Sequence, residues 1–398
     1  MIFSMKYSLL FTVVGSLLIS CESTRDKLHI PQDPPMRASE ELFNTDDTET
    51  LGLPLLEGEH ALLYKATKDG YKFCHHPNLV VFQNQLHAMW SNGLVGEDEN
   101  GQRILHSSSA DGVTWTTPVV LAEDPDGPSG PFACVAAGFH VAGETLVAYN
   151  TAIMAGDPLH PNNALYARTS IDAKNWGLPQ RLPEGFFIES PRTLPSGRLL
   201  ITGQFADGQP RLMYTDSPDG VTSWKDGAIP HIDSFRDGRD EGGNRTYAEP
   251  NWFRRPDGSV VMLFRTRSAI NQLWASVSKD NGASWSQAVP TNFLDSTARF
   301  SAGNLPDGTA FVINNPGAKR NPRIRNPLTL ALSSDGITFD RGFIIRGGPT
   351  SMRFEGIHKL DGWQYPSAVT WQGYLYIVYS INKEDVGVTR VALENLQP

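Results

Sequence analysis

Five stretches of this chain share one pattern: a short apolar strand, then Ser or a polar neighbour, Asp, Gly or a substitute, and an aromatic. They are "HSSSADGVTW" (106–115), "ARTSIDAKNW" (167–176), "YTDSPDGVTSW" (214–224), "SVSKDNGASW" (276–285) and "ALSSDGITF" (331–339). Asp111, Asp172, Asp219, Asp280 and Asp335 mark them, recurring every roughly 50 to 60 residues. A unit of that length cannot cover its own apolar faces, so neighbouring units must stack. Such a period points to a β-propeller before any other architecture.

Between the marks lie apolar runs folded about Pro-Asp-Gly, Pro-Ser-Gly and Ala-Gly turns, such as "PNWFRRPDGSVVMLFR" and "PSAVTWQGYLYIVYS". Each unit therefore reads as a hairpin followed by a strand pair whose turn carries the Asp, a four-stranded antiparallel blade. Six units are evident. "LLYKATKDGYKF" (62–73) is a partial seventh, because Asp69-Gly70 and Phe73 echo the mark. The expected fold is all-β, a propeller of six or seven blades filling residues 55–398 as one catalytic domain.

The chain has a net charge of -9, and its longest basic cluster is "KRNPRIR" (319–325), which argues against a nucleic-acid partner. An anionic substrate needs a locally basic cleft. Residues 1–21 read as an export signal: Lys6, an apolar run too short for a dependable membrane span, and "LISC" ending at Cys21, which resembles a bacterial lipobox. Lipidation of Cys21 would be the protein's sole membrane attachment. Residues 22–54 are polar and aperiodic and are expected to form a flexible tether. Cys74 and Cys134 then remain, and a disulfide between them is open in an oxidising compartment.

Propellers converge their loops on the central axis, so polar residues at the start of each unit's first strand are the site candidates. The first is "CHHP" (74–77). Alternation along a strand sends neighbouring side chains to opposite faces, so Cys74 and His76 can share one side while His75 cannot join them. Two neighbours do not complete a zinc site, so no metal ligand is assigned, although a structural metal ion stays open. No cofactor is required by the chemistries considered below.

The five marks resemble the Asp-boxes of sialidase-type propellers, and "SKDNGASW" fits that pattern in full. The resemblance implies a structural role, with the Asp accepting turn N–H groups and the aromatic plugging the gap between blades. A sialidase would need three arginines around a substrate carboxylate, a Tyr nucleophile with a Glu partner, and an acidic acid/base. Arg192, Arg265 or Arg267, and Arg299 offer the cluster, and "RTYAEP" (245–250) offers Tyr247 and Glu249. That family's Arg-Ile-Pro tripeptide is missing before the first Asp-box, where "CHHP" stands instead.

"HHPNLVVFQNQLHAMWSNGLVGEDENGQRILHSSSADGVTW" and "YAEPNWFRRPDGSVVMLFRT" also resemble the seven-bladed propellers that attack uronate and rhamnose polysaccharides: ulvan-type lyases, oligosaccharide dehydratases and rhamnose-glucuronate α-L-rhamnosidases. This resemblance prefers seven blades and implies an acidic polysaccharide or oligosaccharide as partner, cleaved by β-elimination at a uronic acid. His140 and His160 look like the lyases' histidine pair and Tyr247 like one of their tyrosines, with His75, Arg192, Glu249, Arg265, Arg299 and Tyr365 as substrate-binding residues. The rhamnosidases imply instead a single catalytic His, and His76 falls at that place. Exo-sialidase activity and non-catalytic glycan binding are the further alternatives.

Overall fold

The computed structural model describes residues 30–232, 249–265, 271–317 and 325–397. Tyr247, Arg267 and Cys21 lie outside these residues. Among the described residues six antiparallel sheets surround one axis, five of them four-stranded and the third with its first strand in two pieces. The first is built from Phe73–Phe82, Gln85–Gly93, Arg103–Ser109 and Val119–Ala122, and the next four follow the same order along the chain. The sixth closes the ring by a different route. Trp363–Trp371, Tyr374–Ile381 and Asp385–Ala392 supply three strands, and Glu59–Tyr64 from the other end of the domain pairs antiparallel with the last of them.

That closure sets the blade number at six. The segment read as a partial seventh unit is divided, its start (62–64) ending the fourth strand of the sixth blade and Phe73 opening the first strand of the first, so the seven preferred by resemblance is corrected. Pairing the two ends of the domain removes the open sheet edge that a linear array would leave.

The Asp-box turns explain their own sequence. The Val113 and Thr114 N–H groups donate to Asp111 Oδ1 at 2.8 and 2.7 Å, and Ser109 Oγ holds the same oxygen at 3.0 Å. Equivalent bonds form at Asp172, Asp219, Asp280 and Asp335. The following aromatics fill the gaps between blades. Trp285 packs with Leu200 and Leu212 of the third blade and Val260 of the fourth, and Phe339 joins Phe253 and Val312 across the next gap.

Two further expectations change. Residues 36–53 are not a loose tether: Met36, Leu42 and Leu51 are buried, and Arg37–Ala38 pairs in parallel with Thr338–Phe339. The aperiodic polar composition hid a few apolar anchors that dock on the fourth and fifth blades. Cys74 and Cys134 are free thiols in separate inter-blade clusters, which precludes the disulfide. Among the described residues no helix is long and apolar enough to cross a membrane.

Candidate functional site

The first strand of each blade lines the axis, and all begin at the same end. The loops between second and third strands reach that end too, while the Asp-box turns occupy the other. Three first strands open with the same local device. His76, Glu249 and Tyr365 have φ of +50°, +36° and +54°, and each is followed by a proline: Pro77, Pro250 and Pro366. A left-handed conformation in a non-glycine residue costs on the order of 1–3 kcal/mol and persists only where its surroundings over-determine it. In the first and sixth blades the ladder register slips at the same point, between His75 and Asn78 and between Gln364 and Ser367. These are bulges that re-aim side chains.

The bulge overturns the alternation expected of "CHHP". His75 and His76 turn to the same side, their rings 4.4 Å apart, and both pack on Tyr365, at 3.7 and 5.1 Å between centroids. Cys74 alone faces away, into the apolar gap between the first and sixth blades.

Tyr365 is the centre of the constellation. Its Oη donates to Glu249 Oε1 at 3.2 Å and accepts from Arg265 Nη1 at 2.9 Å, and the same Nη1 bonds Glu249 Oε2. All three side chains are buried. Burial opposes the charge on Arg265, but Glu249 beside it more than compensates and raises its pKa. Burial also raises the Tyr365 phenol, which therefore rests neutral at pH 7.

Two more arginines from the fifth blade complete the basic cluster. Arg299, fully buried, holds Glu189 Oε1 with Nε and Nη2 at 2.8 and 2.7 Å and donates to the Ile188 carbonyl. Glu189 occupies the gap where the third blade's first strand breaks between Phe186–Phe187 and Arg192–Thr193. Arg325 donates to the Ser296 carbonyl at 3.0 Å, and burial, then the charge of Arg265, lower its pKa to about 10. Asp295 lies in the field of Arg265 and Arg325, with its pKa pushed up to about 6 by burial. Among the described residues, neither Arg265 Nε nor Arg299 Nη1 has an acceptor. Buried guanidinium N–H groups of this kind are costly unless an anion meets them.

On the other side of Tyr365, Glu97 Oε2 takes Lys383 Nζ at 2.5 Å, and Asp98 follows it in the chain, its Oδ1 accepting from Gln102 Nε2 at 3.4 Å. Burial and Glu97 push the Asp98 carboxyl up to about 7. His75 and His76 are held well below their usual range, first by burial, then by Lys383 and Arg299 respectively, so both rings are neutral.

The remaining sequence candidates separate. Arg192 acts largely as a strut: its guanidinium donates to Ala302 O, Asn251 Oδ1 and Trp252 O and stacks on Trp252 at 3.9 Å, which commits three of its five N–H groups to the framework. His140 lies near the far end of its strand, where Nε2 meets the Pro218 carbonyl at 2.9 Å beside an Asp-box turn. His160 accepts from the Asn162 N–H within its own loop. The pair expected to act together is thus split between the two ends of the axis. Glu97, Asp98, Asp295, Arg325 and Lys383 were not read from sequence, because inter-strand loops carry no periodicity. The residue before proline at a first-strand opening was the available signal for His76, Glu249 and Tyr365.

Residues 84–377 match the family model described as "BNR repeat-like domain". The chain belongs to the BNR repeat-like domain family. Solved structures similar to this BNR repeat-like propeller include a sialidase (TM-score 0.65, 19% identity, covering 91% of this chain and 35% of that one). The intramolecular trans-sialidase from Ruminococcus gnavus (TM-score 0.62, 13% identity, 85% and 99%) and a protein of unknown function from Dyadobacter fermentans (TM-score 0.61, 16% identity, 83% and 97%) are similar too. The chain spans about a third of the length of the first of these. At such identities the likeness establishes the propeller fold. No curated protein is detectably similar in sequence.

Proposed function

We propose that this BNR repeat-like propeller is a glycoside hydrolase that releases a terminal sugar acid from an acidic glycan, in the manner of a sialidase. The carrying observation is the triangle of Tyr365, Glu249 and Arg265. A phenol hydrogen-bonded to a carboxylate is a nucleophile beside its base. Most glycosidases use two carboxylates, and a Tyr nucleophile is the sialidase exception. The exception has a physical reason: a carboxylate nucleophile would be repelled by a substrate carboxylate next to the attacked carbon, and a neutral phenol is not.

Arg265 locates that substrate carboxylate. Its Nη1 touches the Tyr365 oxygen at 2.9 Å while its Nε is without an acceptor. An anion gripped by this guanidinium lies within one bond or two of the carbon that Tyr365 attacks. That fits a sugar bearing its carboxylate on the anomeric carbon better than a uronate, whose carboxylate is across the ring. Arg299 and Arg325 add positive charge on the same side.

In the first step Tyr365 Oη bonds to the anomeric carbon, Glu249 takes the phenolic proton, and Asp98 protonates the departing oxygen. In the second, Asp98 removes a proton from water, the water oxygen replaces Tyr365 at the anomeric carbon, and Glu249 returns the proton to the phenolate. The configuration is retained.

β-Elimination at a uronate loses its support where His140 and His160 part. A single-His rhamnosidase keeps one supporting observation, the neutral, buried His76 ring against Tyr365. Incubation with an aryl α-ketoside of sialic acid, with ulvan and with rhamnose-capped glucuronate separates the readings. Release of the aryl alcohol and free sugar acid, abolished in Tyr365→Phe, supports the proposal. Unsaturated-uronate absorbance or free rhamnose in its place overturns it, as does binding of all three without turnover. We also propose lipid anchoring through Cys21, tested by fatty-acid labelling of the wild type against Cys21→Ala.

A further inference from the structure

His75, His76 and Glu97 form a group that neither the hydrolysis steps nor the packing explains. Each offers one ligand atom, and the three atoms lie within 4.8 Å of one another. His75 Nε2 and Glu97 Oε1 are 3.4 Å apart. Ligand atoms around a tetrahedral zinc with bonds of about 2.1 Å are separated by roughly the same distance.

Three features favour a cation between them. His75 is completely buried, yet its Nε2 makes no hydrogen bond among the described residues, and Glu97 Oε1 stands 3.4 Å from it. Its other nitrogen, Nδ1, is engaged by Ser380 Oγ at 3.1 Å, which fixes the ring with Nε2 toward the carboxylate. An outer partner on the distal nitrogen is the usual arrangement for a metal-ligating histidine. His76 Nδ1 lies 3.4 Å from Ser91 Oγ, so this ring too is oriented from behind. Finally, the strained φ of His76 is what brings the two imidazoles together; an unbulged strand would separate them.

We propose that His75, His76 and Glu97 bind a divalent transition-metal ion of the zinc class, with a fourth position open beside Tyr365. Two imidazoles and a carboxylate suit zinc, and three protein ligands with an open position are the pattern of exchangeable or catalytic sites. Several cations oppose a metal here: Arg299, Arg265 and Arg325 lie in the field of the two rings, and Lys383 is in direct contact with the carboxylate. Lys383 holds Glu97 Oε2, leaving Oε1 for the metal, and so orients the carboxylate while weakening the site.

This assignment does not depend on the glycosidase reading, and its test reads binding. The full chain is stripped with a chelator, dialysed against a limiting excess of Zn²⁺, and its bound zinc measured by mass spectrometry. Co²⁺ is titrated in parallel and the visible bands of four-coordinate cobalt recorded. One equivalent per chain and a four-coordinate cobalt spectrum are expected. Glu97→Gln and His75→Ala should each weaken binding roughly 10- to 100-fold, and Lys383→Met should tighten it. Folded wild-type protein that retains no zinc overturns the proposal whatever the variants do. So does stoichiometric zinc that Glu97→Gln and His75→Ala leave undiminished.

Discussion

Tyr365 of the sixth blade and Glu249 of the fourth meet across the axis, Oη to Oε1 at 3.2 Å, although 116 residues separate them in sequence. Both are positive-φ residues followed by a proline, so two local distortions jointly aim the phenol and the carboxylate at one another. Glu249→Gln keeps the shape and a hydrogen bond but removes the proton acceptor. We expect kcat to fall by roughly 10²- to 10⁴-fold, the usual range for a lost general base, with KM little changed. Steady-state kinetics on the aryl ketoside checks this, and an unchanged kcat would remove Glu249 from the chemistry.

The clamp residues should behave differently. Arg299→Lys keeps a positive charge but loses the forked geometry that grips a carboxylate, and it weakens the hold on Glu189. We expect kcat/KM to fall by roughly 10- to 100-fold, on the order of 1.4–2.7 kcal/mol, mostly through KM. A neutral analogue of the sugar acid should be hydrolysed equally poorly by variant and wild type. A loss as large for the neutral analogue would show that Arg299 serves the fold alone.

Asp98 is proposed as the acid, and the effect of its substitution should depend on the leaving group. Asp98→Asn is expected to reduce turnover of a natural glycoside by about 10²-fold or more and to spare an aryl ketoside whose leaving phenol needs no protonation. Equal losses on both substrates would contradict the assignment.

Away from the axis, His87 and His106 lie in a hydrogen-bonded stack between the first and second blades, Nδ1 to Nε2 at 3.1 Å. Burial lowers both, His106 to about 3. The unfolded chain, with histidines near pH 6.5, binds more protons than the folded one below that value. The contribution of this pair to stability is therefore complete above pH 6.5 and declines as the pH falls below it, by up to about 1.4 kcal/mol per pH unit for each ring and, for His106, down to about pH 3. His75 and His76 act in the same direction. Thermal melts from pH 7 to pH 4 should show a shallower decline for His106→Gln than for wild type, and parallel curves would sink the linkage.

The fold was legible because the Asp-box is a local device: Asp280, Ser278 and Trp285 each act within a few residues of one another, so a linear reading finds them. Blade number was less so, since Glu59–Tyr64 belongs to a sheet whose other strands lie at the far end of the chain. The site was half legible. Glu249, Arg299 and Tyr365 stand at or near blade openings and Arg265 was named through the sialidase resemblance, but His75 and His76 were assigned to opposite faces because period-two alternation takes no account of a bulge. Asp98 and Lys383 went unread for a different reason: each gains its chemistry from a neighbour on another blade or from burial, neither of which a sequence displays.

The claim that Tyr365 is the nucleophile is tested most directly by trapping. A 3-fluoro glycosyl fluoride of the sugar acid should form the bond to Tyr365 faster than water can break it. Intact-mass measurement should then show one added sugar per chain, and peptide mapping should place it on Tyr365, with no adduct in Tyr365→Phe. An adduct on another residue, or steady hydrolysis of the aryl ketoside by Tyr365→Phe, would contradict the account.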